Sequence, residues 1–216
     1  MSTVAERPAT EVAPEDADHL DIGEPLFEQR ERITVAQYHR MFELGIYDSD
    51  SKVELIEGVL VAKRSKDVPH IISSELIVAI FHRLIPLGYF LTMGNPLTIV
   101  ERDSEPEPDA QIFRGHPRDY RGRRRTQRDA ALVVEVSDST YRMDRYRKWV
   151  TYAGAGVRIY WIVDVNRNRL EVHTDPTGSG PEARYATTQV LGPDDEVGLI
   201  LDDREVARFA VREILP

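Results

Sequence analysis

Residues 132–140 read LVVEVSDST. An apolar run of strand length is interrupted by one carboxylate, Glu135, and then by Ser137. Extended backwards to Ala131, the alternation places Ala131, Val133, Glu135 and Ser137 on one face of a strand. A carboxylate held among apolar neighbours is costly unless a cation, hydrogen bonds or a raised pKa compensates it. The stretch therefore asks where the positive partner of Glu135 lies.

Outward from this strand, the elements alternate in type. DAQIF (109–113), YFLTM (89–93) and PLTIV (96–100) are short apolar runs bounded by turn-prone residues, and each is expected to be a strand. VRIYWIVDV (157–165) is nearly continuously apolar, as a central strand should be, and NRNR turns it back into LEVHT. ITVAQYHRMFELGIY (33–47) predicts a helix capped by Thr34 and stopped at Gly45. VELIEGVLVAK (53–63) predicts a strand pair turning at Glu57 and Gly58. HIISSELIVAIFHRLIPLG (70–88) predicts a long amphipathic helix whose apolar face is Ile72, Leu76, Ala79, Ile80 and Leu84. YRMDRYRKWVTYAGAG (141–156) predicts a helix ending at Gly154 or Gly156. The sum is an α/β chain with a mixed central sheet, flanking helices and extra β-hairpins.

Composition narrows the chemistry. The 216 residues include no cysteine, which excludes disulfides, iron–sulfur clusters and cysteine-bound zinc. A reducing, cytoplasmic setting is expected. No apolar run is long enough to span a membrane, and the acidic N-terminus has no apolar signal segment, so neither a span nor a secretory leader is expected. Residues 1–30, rich in Ala, Pro, Glu and Asp, predict a disordered acidic tail before a single domain over 31–216. The net charge of −9 argues against nucleic-acid binding by the whole surface. RGRRRTQR (121–128) and RMDRYRK (142–148) are nevertheless locally basic.

Three features bear on catalysis. EPEPDAQIF places Asp109 where a strand begins, behind Pro108; if this strand neighbours that of Glu135, the two carboxylates can share a hard divalent cation such as magnesium. Asp109 as a turn cap and Glu135 as a structural ion pair to an arginine are the alternatives. Ser137, with Asp138 and Ser139, reads as a turn and helix cap, because no nucleophile-elbow glycines surround it. Finally, Asp144, Lys148 and Tyr152 recur every four residues on one helix face, drifting only about 40° per step. Lys148 is a minority choice here: lysine occurs four times and arginine supplies the other 24 of 28 basic side chains. A compact ammonium suits a water or phosphate oxygen, whereas arginine favours planar bidentate contacts. The other reading of Asp144 and Lys148 is a surface ion pair.

The order PD, then a glutamate within a second strand, resembles the PD-(D/E)XK nuclease superfamily. More closely, VELIEG (53–58), Pro69 with His70, PDAQIF (108–113), LVVEVSDST (132–140) and DRYRKWVTYAGAGVRIYWIVD (144–164) resemble the Uma-two family of restriction endonucleases. That resemblance implies a restriction-endonuclease-like fold and magnesium- or manganese-dependent hydrolysis of DNA phosphodiesters. It makes Asp109 and Glu135 the metal ligands and, with Lys148, the catalytic residues. It also implies that Ser137 stands where the superfamily's lysine usually does, with Lys148 supplying the ammonium. Glu54 and His70 match family positions and would support the site, as would Asp144 and Tyr152, although Tyr152 also reads as packing and His70 as a structural helix-start residue. Arg145, Arg123, Arg124 and Arg125 would neutralise phosphates; a solvated linker is the other reading of that arginine loop, which as the connection between the two ligand strands is expected near the site. A homodimer is expected by the same resemblance. Two further functions remain: a catalytically idle nucleic-acid-binding or assembly module, and a hydrolase of a small phosphate ester.

Overall fold

The computed structural model describes residues 31–216, so the expected acidic tail over 1–30 lies outside the described residues. Strands β3 (Tyr89–Met93), β4 (Ala110–Arg114), β5 (Ala130–Ser137), β6 (Ile159–Asp164), β7 (Arg169–Thr177) and β8 (Arg184–Leu191) form one six-stranded sheet in that order. Only β5 and β6 run parallel; every other pair is antiparallel. A parallel pair needs a crossover, here a π-helix (Met143–Lys148) running directly into the short helix α3 (Trp149–Gly154). Two hairpins stand apart, β1 (Val53–Ile56) with β2 (Val59–Ala62) and β9 (Glu196–Leu201) with β10 (Arg204–Ala210). Helices α1 (Val35–Glu43) and α2 (Val68–Leu84) complete the mixed α/β architecture expected from the sequence.

The alternation of β5 divides the core. Leu132, Val134 and Val136 pack with Ile77, Ile80 and Phe81 of α2, and with Leu199 and Phe209 of the β9–β10 hairpin. Val133 on the opposite face packs with Tyr152 of α3, Tyr160 and Ile162. All eight residues of β5 are buried, so any charge it carries is held in the interior.

Local chemistry explains the smaller elements. Thr34 caps α1 through a reciprocal capping box with Gln37. Glu57 and Gly58 both have positive φ, at 51° and 74°, the conformation demanded by a two-residue hairpin turn. A Cβ on Gly58 would also come within 2.6 Å of the Arg32 side chain.

Three expectations are corrected. PLTIV forms no named strand: Thr98 and Ile99 make isolated bridges, and Val100–Arg102 is a 3-10 turn. The buried face of α2 is His70, Ser73, Ile77, Ile80 and Phe81, whereas Ile72 and Ala79 are exposed. An apolar helix has no hydrophobic contrast to set its phase; polar anchors set it instead, with Ser73 Oγ donating to Ile214 O at 2.6 Å. Ser137 is not a turn residue but the buried last residue of β5.

Candidate active site

Antiparallel pairing of β4 with β5 sets Ala110 opposite Val134, which brings Asp109 beside the end of β5 that carries Glu135. The Val136 backbone N–H donates to Asp109 Oδ2 at 2.8 Å. Oδ1 of the same carboxylate lies 2.9 Å from His70 Nε2 and accepts from Lys66 Nζ at 2.7 Å. Burial would raise the acid range of Asp109, but the hydrogen bond and charge of His70, then Lys66, prevail and lower it to about 2.

Glu135, 3% exposed, is where the positive partner is found. Lys148 Nζ donates to Glu135 Oε1 at 3.1 Å, and the Tyr152 hydroxyl donates to the same oxygen at 2.8 Å. Lys148 is shared: Glu54 Oε1 lies 3.3 Å from its ammonium and Asp144 Oδ1 3.8 Å. Glu54, on β1, also accepts from the Glu107 backbone N–H. Asp144 accepts from the hydroxyls of Ser137 and Thr140, both at 2.7 Å. Ser137 thus positions a carboxylate.

The charge balance is uneven. Burial pushes Glu135 well above the usual glutamate range; Lys148 opposes that shift, while Asp144, Asp109 and Glu54 reinforce it. Burial raises Asp144 as well, against the pull of Lys148. For Lys148 burial acts in the other direction, yet Glu135, Glu54, Asp144 and Asp109 together push it well above its ordinary value. Lys148 is therefore an ammonium, not a general base.

The crossover places these groups. Met143–Lys148 is a π-helix, with the Trp149 N–H bonded to Asp144 O, five residues back, and the Tyr160 hydroxyl donating to that same carbonyl at 3.1 Å. Helical spacing brings Asp144, Lys148 and Tyr152 to one side, as read from the sequence; the wider turn was not foreseen. Such turns recur at functional sites.

Asp109, Glu135 and Lys148 are thus brought together with Glu54, His70, Ser137, Asp144 and Tyr152. The arginines have other partners. Arg145 Nε lies 3.3 Å from Glu171, and its guanidinium sits over the Trp149 ring. The loop bearing Arg123, Arg124 and Arg125 leaves the opposite end of the β4–β5 hairpin, roughly 14 Å along the strand from Asp109. Within it Arg123 pairs with Asp129, Arg124 lies 3.5 Å from Glu105, and Arg125 covers Phe113. Although an antiparallel hairpin puts this connection at the far end, the loop folds back: Arg125 O accepts from the Thr98 N–H, and Glu105, beside Arg124, donates its backbone N–H to Leu55 O, next to Glu54. Lys66 was missed, although the scarcity of lysine pointed to it as it did to Lys148.

Among the described residues, no three His, Asp or Glu groups already stand as a metal-coordinating shell. Lys66, His70, Lys148, Tyr152 and backbone N–H groups engage the carboxylate oxygens instead. The donor chemistry nevertheless fits a hard divalent cation: Asp109, Glu135, Glu54 and Asp144 are all buried and offer only carboxylate oxygen, and a bound cation would offset the cost of burying them.

The architecture that holds these groups is shared with a solved structure described as a "putative nuclease belonging to DUF820 from Anabaena variabilis ATCC 29413". The TM-score is 0.61 and the identity 14%, over 84% of this chain and 97% of that one, a likeness of fold. The model of the Uma2 family, described as "Putative restriction endonuclease", matches residues 35–205, and the chain belongs to that family. No curated protein matches the chain. Among the described residues no helix is long and apolar enough to cross a membrane.

Proposed function

We propose that this chain is a divalent-metal-dependent endonuclease that hydrolyses DNA phosphodiester bonds and acts as a homodimer. The observation that carries this reading is the convergence of a single buried ammonium, Lys148, on Glu135 and Glu54 beside Asp109. Asp109 and Glu135 would hold magnesium or manganese, with Glu54 adjoining them. When bound, the metal supplies Lewis-acid polarisation of the scissile phosphate and a more acidic water. Lys148 holds a fixed positive charge toward the pentacovalent phosphorus or orients the attacking water. Tyr152 fixes the rotamer of Glu135, Ser137 and Thr140 fix Asp144, and His70 holds Asp109 ionised.

The test is cleavage of supercoiled plasmid with magnesium or manganese, against EDTA. Wild type is expected to nick or linearise the plasmid only with metal, and Asp109→Asn and Glu135→Gln are expected to lose at least about 100-fold in rate. Calorimetry should show metal binding weakened in both variants and nearly intact in Lys148→Ala, which also loses cleavage. Equal metal binding by wild type, Asp109→Asn and Glu135→Gln would overturn the assignment.

The engagement of Arg123 by Asp129 and of Arg124 by Glu105 favours a second reading, a hydrolase of a small phosphate ester. Bis(p-nitrophenyl) phosphate hydrolysed in preference to plasmid would select it.

A further inference from the structure

Helix α2 has apolar residues on nearly every side, a pattern that belongs to helices covered all round. One side is covered by the sheet and the C-terminal residues. The other is open: Val68 is 67% exposed, Ile71 43% and Ile72 41%. Ile72, Leu76, Ala79 and Arg83 follow one ridge at spacings of four, three and four residues, with Glu75 alongside. Leu87, just past the helix, is fully exposed. Contiguous apolar surface of this kind marks an interaction site.

The two charges on the ridge identify the partner. Among the described residues neither the Glu75 nor the Arg83 side chain has an ion-pair or hydrogen-bond partner. They are eight residues apart, about 12 Å along the axis, so they cannot pair within one helix. Resting on the homodimer proposed above, we infer that the outer face of α2 is the contact between the two copies of this chain, packed antiparallel about a two-fold axis at Ala79. That axis sets Glu75 opposite Arg83 of the second copy and Arg83 opposite its Glu75. It also sets Ile72 against Pro86 and Ile71 against Leu87. Ala79 at the crossing lets the two backbones approach closely. The surface is self-complementary in charge and in apolar character, as an isologous contact must be. The same axis separates the two His70 residues by about 27 Å along the helix direction.

Sedimentation equilibrium on the full chain tests this without reference to catalysis. At micromolar concentration wild type is expected to have the mass of two copies. Glu75→Arg and Arg83→Glu are each expected to weaken the dimer by roughly 10- to 100-fold, because each sets like charges opposite one another. The double variant E75R/R83E is expected to restore it. Unchanged far-ultraviolet circular dichroism excludes misfolding at these exposed positions. A wild-type chain that is monomeric throughout would overturn both this contact and the homodimer itself, whereas a dimeric wild type with single variants that remain dimeric, or with a double variant that stays monomeric, would overturn this contact alone. So would a monomer that dimerises only when residues 1–30 are removed, which would assign the face to the chain's own N-terminal segment.

Discussion

Two buried charge clusters lie on the same sheet and are built differently. Around β7, Glu171 accepts from the Tyr141 hydroxyl at 2.8 Å and from Arg169 Nη2 at 2.6 Å, with Arg145 and His173 each 3.3 Å away. Burial would raise Glu171, yet the adjacent His173 imidazole, the Tyr141 hydroxyl and the charge of Arg169 hold it below the usual range. Neighbouring Asp164 is paired with Arg167 and Arg169. At the candidate site one ammonium serves Glu135, Glu54 and Asp144, and Glu135 is pushed up rather than down. Burial alone therefore does not mark function. Planar guanidinium forks satisfy a carboxylate for structure; one shared ammonium leaves a deficit that a ligand can fill.

The largest expected effect comes from removing that shared cation. Lys148→Met leaves buried carboxylates without their partner and should cost about 3–5 kcal/mol in urea unfolding with EDTA. Manganese should recover part of the loss. Arg169→Met, where other donors remain around Glu171, should cost less, about 1–3 kcal/mol. Equal losses would erase the distinction between the clusters.

The glutamates themselves should respond with opposite signs. Glu171→Gln at neutral pH should lose about 2 kcal/mol, because its donors are matched to a carboxylate. Glu135 has a raised folded-state pKa, so its protonated form is favoured by the fold and its contribution declines as pH rises through that value. Glutamine mimics the protonated acid and leaves Lys148 paired with Glu54 and Asp144, so Glu135→Gln should gain roughly 1 kcal/mol, as expected when a site is tuned for function at the expense of stability. A lower midpoint for Glu135→Gln than for wild type would contradict the deficit.

Asp109 supplies a smaller, pH-dependent test. Its folded-state pKa of about 2 lies below the unfolded value, so its contribution is complete above the ordinary aspartate range and is lost as pH falls through that range toward 2. A Lys66→Met/His70→Gln variant should begin to lose stability at higher pH than wild type, as read from acid titration of circular dichroism. The smallest change is expected from Tyr152→Phe, about 1 kcal/mol for one hydrogen bond to Glu135.

How much of this was legible in the sequence depended on which physical signal carried it. Glu135 and Asp109 stood out because a charge in an apolar strand needs a reason, and Lys148 because lysine is scarce. Lys66 carried the same signal but sits in no regular element, so no spacing linked it to Asp109. The outer face of α2 was read as core because its residues are apolar; only tertiary anchors such as Ser73 distinguish the two faces. The partners of Arg145 and of the arginine loop were not legible, because charge has range but no direction. Strand order and hairpin polarity supply the direction, and neither is encoded in a short run of residues.

The π-helix between β5 and α3 amounts to one residue more than an α-helix would use to cover the same turn. That extra residue acts as a phase spacer. It lets Asp144 stay tied to Ser137 while Lys148 and Tyr152, further along, both turn toward Glu135.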